Sequence, residues 1–324
     1  MKIVELCSGI GGLGLPFLEE GFDLELAVDF DKECIKSYKA NISEKVMCAS
    51  IRAAMKEIPT HDILLASTPC QSWSLAGKLE GFYDDRGLVF FDVLDVIRVR
   101  QPKVILLENV ASLIDHDNGE SFRHMLQCLN VFGYSTSYQV LDSQDFGVPQ
   151  RRKRVFIVCF HKKYFKNIPF QFPKGEKLTI TLQDILDEEV ESNYFLTEEV
   201  KQYVLDVPSN KNGDLSKVPI NQKVAKTLLT SSGTHNKCTK NNYVTDDKNA
   251  IDPKKSNLRR LTPSECLKLQ GFDAENWKYV VSDTQLYKQT GNAVTVSVSR
   301  ALAKSIKKYI EKNFLRKQLY SNKI

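Results

Sequence analysis

A glycine-rich turn directly after a short apolar run constrains this chain more than any other feature. Residues 2–7 (KIVELC) read as a buried strand. Gly9, Gly11 and Gly14 follow at the spacing G-x-G-x-x-G, before a helical stretch that reaches Glu20. Glycine permits a tight turn and a close ligand approach, and the helix start behind it favours negative charge. Residues 25–28 read as a second strand ending at Asp29, about twenty residues past the loop, where a carboxylate can accept hydrogen bonds from a ribose. The pattern fits a nucleotide-like cofactor. Taken alone, it would serve a nicotinamide dinucleotide equally well.

The same texture continues. Residues 62–66, 104–107 and 154–159 read as further apolar strands separated by helical stretches. Alternation of this kind predicts an α/β fold: an open, Rossmann-like, mostly parallel sheet with helices on both faces. Functional residues in such sheets collect beyond the carboxyl ends of the strands, where Cys70 and Glu108 fall. After about residue 165 the texture changes, and residues 203–257 are rich in Lys, Asn, Ser, Thr and Gly. A smaller, irregular domain is expected there, with Val224, Leu228, Leu229, Tyr243 and Val244 as its modest core. Periodicity returns at Leu261, and a last apolar helix over about 294–309 is expected to pack back on the first domain. The division reads as 1–164, 165–257 and 258–324.

Charge is uneven along the chain. Residues 201–260 hold 12 Lys/Arg against 5 Asp/Glu, and residues 296–324 hold 8 against 1. A basic stretch is most often a solvated face, but two of them, one within a polar irregular region, favour a nucleic-acid partner. The 8 cysteines include no C-x-x-C pair, so no metal site is expected. No apolar run has the length of a signal or a membrane span, and a reducing cytoplasm is the expected setting.

Pro69-Cys70-Gln71-Ser72-Trp73-Ser74 carries the chemistry. A thiolate is the natural side chain to attack C6 of cytosine, a weakly electrophilic carbon that needs help at N3. A carboxyl group at Glu108 can supply that help. Attack makes C5 nucleophilic, so that it can take up an electrophilic methyl group. A base then removes the C5 proton and Cys70 leaves.

These blocks resemble the bacterial DNA (cytosine-5) methyltransferases of restriction-modification type. LCSGIGG is similar to their first motif, PCQSWS to the nucleophile motif and ENV (108–110) to the motif of the N3-binding glutamate. QRRKR (150–154), RRLTPSECLKLQGF (259–272) and QTGNAV (289–294) are similar to the remaining blocks, in the family's order and spacing. The resemblance implies an S-adenosylmethionine-dependent methyltransferase sheet with a small target-recognition domain in the polar stretch. It implies transfer of a methyl group to C5 of a flipped cytosine in a short duplex target.

By the same resemblance, Cys70 is the nucleophile, Glu108 binds N3, Arg154 contacts cytosine O2 and Arg152 holds the catalytic region. Cys7, Ser8, Gly9, Gly11, Gly12, Asp29, Phe30, Ser50, Ile51, Pro69, Asn292 and Ala293 form the cofactor pocket, with Phe30 stacked on adenine. Residues 71–88 form a loop that closes on DNA, with glycines at 77, 81 and 87. Gln71, Ser72, Ser74, Arg86, Thr227, Leu228 and Arg260 contact DNA or anchor the recognition loops. Lys223, Lys226, Lys237, Lys240, Lys254, Lys255 and Arg259 are further candidates for phosphate contacts. Residues 231–242 offer polar groups for base edges. The implied partner is double-stranded DNA, bound by a monomer. A restriction endonuclease acts alongside it without a stable complex, in a bacterial, cytoplasmic, DNA-associated setting.

Two positions depart from the family pattern. Cys7 stands where many members have an aromatic residue, and Ser50 where many have an aspartate that binds the adenine amino group. Weaker cofactor binding is the expectation. Two other readings stay open: a tRNA cytosine-C5 methyltransferase, whose usual Cys-Phe-Thr signature is missing, and a non-catalytic DNA-binding relative, which would be expected to lack Cys70 or Glu108.

Overall fold

A computed structural model describes residues 1–68, 85–165, 169–206, 220–233 and 241–321. They divide into two compact units. The first comprises Met1–Asp142, Lys153–Gly175 and Val298–Ile324, and the second Ser143–Arg152 and Glu176–Ser297.

The first unit is built on a seven-stranded sheet. Its strands are β1 (Lys2–Leu6), β2 (Asp23–Asp29), β3 (Val46–Cys48), β4 (Ile63–Ser67), β5 (Val104–Val110), β6 (Tyr134–Asp142) and β7 (Lys153–His161). They lie in the order β3-β2-β1-β4-β5-β7-β6. Pairing is parallel from β3 to β5, and β7 runs antiparallel to both β5 and β6. The expected α/β sheet is thus present, with an antiparallel edge formed by the last two strands. β1 is central because its apolar residues are buried on both faces, as a parallel strand covered by helices requires. The chain leaves β1 toward β2 and β3 on one side and returns to β4 and β5 on the other. Strand ends at that reversal form a crevice, the usual ligand site of such sheets.

Helices α1 (Leu15–Glu19), α2 (Lys32–Asn41), α3 (Ile51–Ala54), α4 (Asp85–Arg100) and α5 (Glu120–Val131) connect the strands. One core cluster packs β-strand residues such as Val4, Leu64 and Ile105 against Val93, Ile97 and Met125 of α4 and α5. The C-terminal helix, Val296–Ser321, packs on this unit as expected. Ser299 Oγ donates to the Leu13 carbonyl at 2.6 Å, Arg300 forks onto Glu19 at 2.9 and 3.0 Å, and Tyr309 stacks on Phe160 with centroids 4.1 Å apart.

The second unit is less regular. Gln150–Arg151 pairs in parallel with Ala225–Lys226, and Tyr243–Thr245 pairs antiparallel with Leu258–Arg260. Its helices are α6 (Glu198–Asp206), α7 (Pro263–Leu269) and α8 (Asp283–Asn292). α7 starts at a capping box: Thr262 accepts from the Glu265 amide, Glu265 accepts from the Thr262 amide, and Pro263 takes the first turn. Leu228, Tyr243 and Val244 are buried as expected, whereas Val224 and Leu229 are only half-buried. The expected bounds and the two units differ at three places: 143–152 and 258–297 fall in the second unit, and 165–175 in the first. Side-chain bonding is the cause at the first two, since Gln150 bonds to Leu228 and Leu269 within the second unit.

Arg259, read as a phosphate contact, is instead fully buried. Its guanidinium meets Glu265 at 2.9 Å and Asp246 at 2.8 Å. Removing one partner of a buried ion network leaves charge uncompensated. Arg259→Ala is therefore expected to destabilise the protein by about 3–5 kcal/mol in urea unfolding. A change below about 1 kcal/mol, the range of surface pairs, would contradict this.

Candidate active site

The reacting group expected at Cys70, with Pro69, Gln71, Ser72 and Ser74, lies outside the described residues. So do the loop glycines at 77 and 81, the side chain of Arg86, the rest of the loop-closure reading over 71–84, Lys237, Lys240 and residues 234–240 of the base-reading segment. The strand that leads to Cys70 is described, and so is the neighbouring carboxylate. β5 is buried along its whole length, including Glu108 and Asn109. Parallel register sets Ser67 directly opposite Glu108. Ser67 Oγ donates to Glu108 Oε2 at 2.5 Å, and Arg154 Nε stands 3.2 Å from Oε1. Asn109 turns to the same strand end, donating to Thr68 Oγ1 at 2.8 Å. Two residues expected at the target base, Glu108 and Arg154, are thus brought together beside the end of the strand that precedes Cys70.

Arg152 behaves differently from Arg154. It is buried, and its guanidinium donates to the carbonyls of Leu228 (3.1 Å), Gly291 (3.0 Å) and Ala293 (2.8 Å). These bonds tie distant segments of the second unit together. The Thr227-Leu228 pair is anchored too. Thr227 Oγ1 donates to the Arg151 carbonyl at 2.6 Å, and Leu228, only 1% exposed, donates its amide to Gln150 Oε1 at 3.0 Å. Leu228 is therefore an anchor whose side chain contacts core. Arg260 donates to the Gly233 and Asn193 carbonyls and lies over the rings of Tyr194 and Tyr287. Asn292 is exposed at the end of α8, and Ala293 is buried behind it. Lys223, Lys226 and Lys254 are exposed, and Lys255 is half-buried.

A cleft opens at the carboxyl ends of β1 and β2. Cys7, Asp29, Phe30, Ser50 and Ile51 line it, together with Val28, Ala49, Val89 and Asp92. Phe30 presents its ring at 71% exposure, an unusual placement for an aromatic residue without a ligand to cover it. With apolar walls at Val28, Ile51 and Val89, the cleft suits an adenosyl group. Asp29 accepts from the Gly9 amide at 2.8 Å through Oδ2 and from the Asp31 amide at 2.9 Å through Oδ1. It braces the glycine loop, and each oxygen keeps a second lone pair for a ribose. Burial pushes its carboxyl above the usual range. Gly9 (φ +54°) and Gly11 (φ +86°) hold the left-handed turn, and a Cβ on Gly11 would stand 2.9 Å from Ile42. Ser8 is buried and donates its amide to Val28, while Gly12 is buried within the same loop. Cys7 itself has φ +52°.

Sequence reasoning missed Glu5, although a lone acid inside the run IVEL was its signal. Glu5 is 1% exposed; it accepts from the Gly14 amide at 2.8 Å and from the Tyr38 hydroxyl at 2.9 Å. A Cβ on Gly14 would stand 2.3 Å from its Oε2, so glycine is required there.

The C-5 cytosine-specific DNA methylase family model matches residues 1–308. The chain belongs to that family. It is 35% identical to the Type II methyltransferase M.DsaV of Dactylococcopsis salina, over 96% of this chain and 87% of the relative. It is 36% identical to M.NgoBI of Neisseria gonorrhoeae, also a Type II methyltransferase, over 94% and 92%. Among solved structures, the Entamoeba histolytica methyltransferase EhMeth superposes with TM-score 0.71 at 20% identity, covering 97% of this chain and 98% of that one. A putative DNA modification methyltransferase from an Escherichia coli prophage gives TM-score 0.70 at 17% identity, covering 96% and 99%. These last two likenesses support the fold. As a family member the protein is a DNA cytosine-5 methyltransferase that uses S-adenosylmethionine. Among the described residues, no helix is long and apolar enough to cross a membrane.

Burial raises the Glu5 carboxyl from 4.5 to about 7, with Tyr38 and Gly14 pulling it back and the Asp29 charge adding to the rise. An acid whose folded pKa is raised binds more protons folded than unfolded between those values. Its contribution is complete below pH 4.5 and is lost as pH climbs to about 7. Glu5→Gln lacks that titration. Relative to this variant, the wild type is expected to lose on the order of 3 kcal/mol between pH 4.5 and pH 7 in denaturant unfolding. Parallel stability profiles for the two proteins would contradict the assignment.

Proposed function

We propose that Glu108, gripped by Ser67 and Arg154, is the group that holds N3 of a flipped target cytosine, and that Cys70 is the nucleophile. The observation that carries this is the Ser67–Glu108–Arg154 contact at the strand end preceding PCQSWS. Ser67 and Arg154 fix the orientation of the carboxyl group, so the hydrogen shared with N3 is presented without reorganisation. Arg154 has further N–H groups for cytosine O2. With N3 held, Cys70 Sγ adds to C6 and the electron density moves to C5. S-adenosylmethionine supplies the electrophilic methyl group. Loss of the C5 proton and departure of the thiolate then restore the ring.

The cleft bearing Phe30 and Asp29 is the cofactor site in this reading. The region 165–257 is the target-recognition domain. The catalytic blocks act on cytosine alone, which every duplex contains, so sequence choice needs a separate polar surface. Gln71, Ser72, Ser74 and Arg86 meet the DNA, Thr227 and Leu228 anchor the recognition loops, and Lys223, Lys226 and Lys254 face its phosphates. The protein works as a monomer in the bacterial cytoplasm, on double-stranded DNA. It protects that DNA from a restriction endonuclease with which it forms no stable complex.

Bisulfite sequencing of plasmid from cells expressing the chain is expected to show 5-methylcytosine at one recurring short site. Replacing 165–257 with the same region of a relative should transfer the site choice while methylation persists. Unmodified plasmid would contradict the activity on DNA. Scattered methylation, or an active chimera with the original site, would contradict the recognition role of the second region.

A further inference from the structure

The edge of an adenine ring carries one donor group, the exocyclic amine, beside the acceptor N1. A cleft that selects adenine needs an acceptor facing that amine. Ser50 is poorly suited, because its hydroxyl caps α3 by accepting from the Ala53 amide at 3.2 Å. Asp29 already takes one backbone amide on each oxygen, and its remaining lone pairs are assigned to the ribose. Among the described residues, the one other carboxylate lining the cleft is Asp92, one helical turn after Val89 on α4. Its side chain is 16% exposed. Arg52 donates twice to its Oδ1, at 3.1 and 2.9 Å, and among the described residues Oδ2 receives no bond. Its charge is felt inside the cleft: burial first, then Asp29 and Asp92, push the Cys7 thiol well above the ordinary range.

We propose that Asp92 Oδ2 accepts the exocyclic amine of the cofactor's adenine and makes this chain selective for a 6-aminopurine. Arg52, on the first turn of α3, holds the carboxylate by its other oxygen and leaves Oδ2 for the ligand. α4 thereby links the cofactor cleft to the segment that follows the nucleophile block. The inference rests on the assignment of the cleft as the cofactor site.

The test compares binding of S-adenosylhomocysteine and its 6-deamino purine counterpart by calorimetry, with no methyl transfer required. A hydrogen bond to a charged acceptor discriminates by roughly ten- to a hundredfold, and that preference for the amine is expected in the wild type. Asp92→Ala should bring the two affinities to within about twofold of each other, through loss of S-adenosylhomocysteine binding alone. Asp92→Asn keeps the side-chain shape with a neutral acceptor and should lower the preference severalfold, which carries the test if the alanine variant does not fold. A wild type with no preference, or a variant at Asp92 that weakens both ligands equally, would overturn the role of Asp92. A folded wild type that binds neither compound would overturn the cofactor-site assignment beneath it.

Discussion

The site depends on keeping a carboxylate inside a sheet. Burying an unpaired carboxylate is costly, and Glu108 lies in a strand whose every residue is buried. The neighbours on both sides relieve that cost. Parallel pairing brings Ser67 level with Glu108, and antiparallel pairing on the other side sets Arg154 opposite Val110, two residues further along. A long guanidinium side chain spans that offset and reaches Oε1. The reversal of strand direction between β5 and β7 is thus functional. In a wholly parallel sheet the residue at this edge would enter from the opposite end.

Two further acids brace the glycine loop. Glu5 holds the end of the glycine loop through Gly14, and Asp29 holds its start through Gly9. Both carboxyls are pushed up by burial, so the loop's shape is maintained by groups that are expensive to keep ionised. The loop could not bear side chains at Gly11 or Gly14 without displacing Ile42 or Glu5. Tyr38, on α2, completes the support by bonding Glu5 from behind.

Much of this was legible in the sequence, for physical reasons that also explain the rest. β1, β4 and β5 are almost wholly buried and read as largely apolar runs. β6 did not, because it is an edge strand whose segment YSTSYQVLD leaves Tyr138, Gln139 and Val140 exposed. β3 spans only Val46–Cys48, too short for any period to register. Charge patterning separated the polar region from the sheet but could not rank its arginines. Arg259 and Arg260 are adjacent in sequence, yet one is buried between Glu265 and Asp246 and the other is part-exposed over two tyrosines. Arg152 and Arg154 diverge in the same way: only two positions apart, one sends its guanidinium to Leu228, Gly291 and Ala293 and the other to Glu108. Asp92 enters the cleft from a helix 40 residues beyond Arg52, a separation that no local pattern signals.

The role of Glu108 is tested most directly by covalent capture on duplex DNA containing 5-fluorocytosine, where fluorine at C5 blocks the elimination that would release the enzyme. The wild type is expected to form a denaturation-resistant complex in the presence of S-adenosylmethionine, and Cys70→Ser none. Glu108→Ala should form it slower by roughly a hundredfold or more, the usual worth of a positioned acid. Capture by Glu108→Ala at the wild-type rate, or any capture by Cys70→Ser, would contradict a mechanism in which the buried carboxylate prepares cytosine for the thiolate.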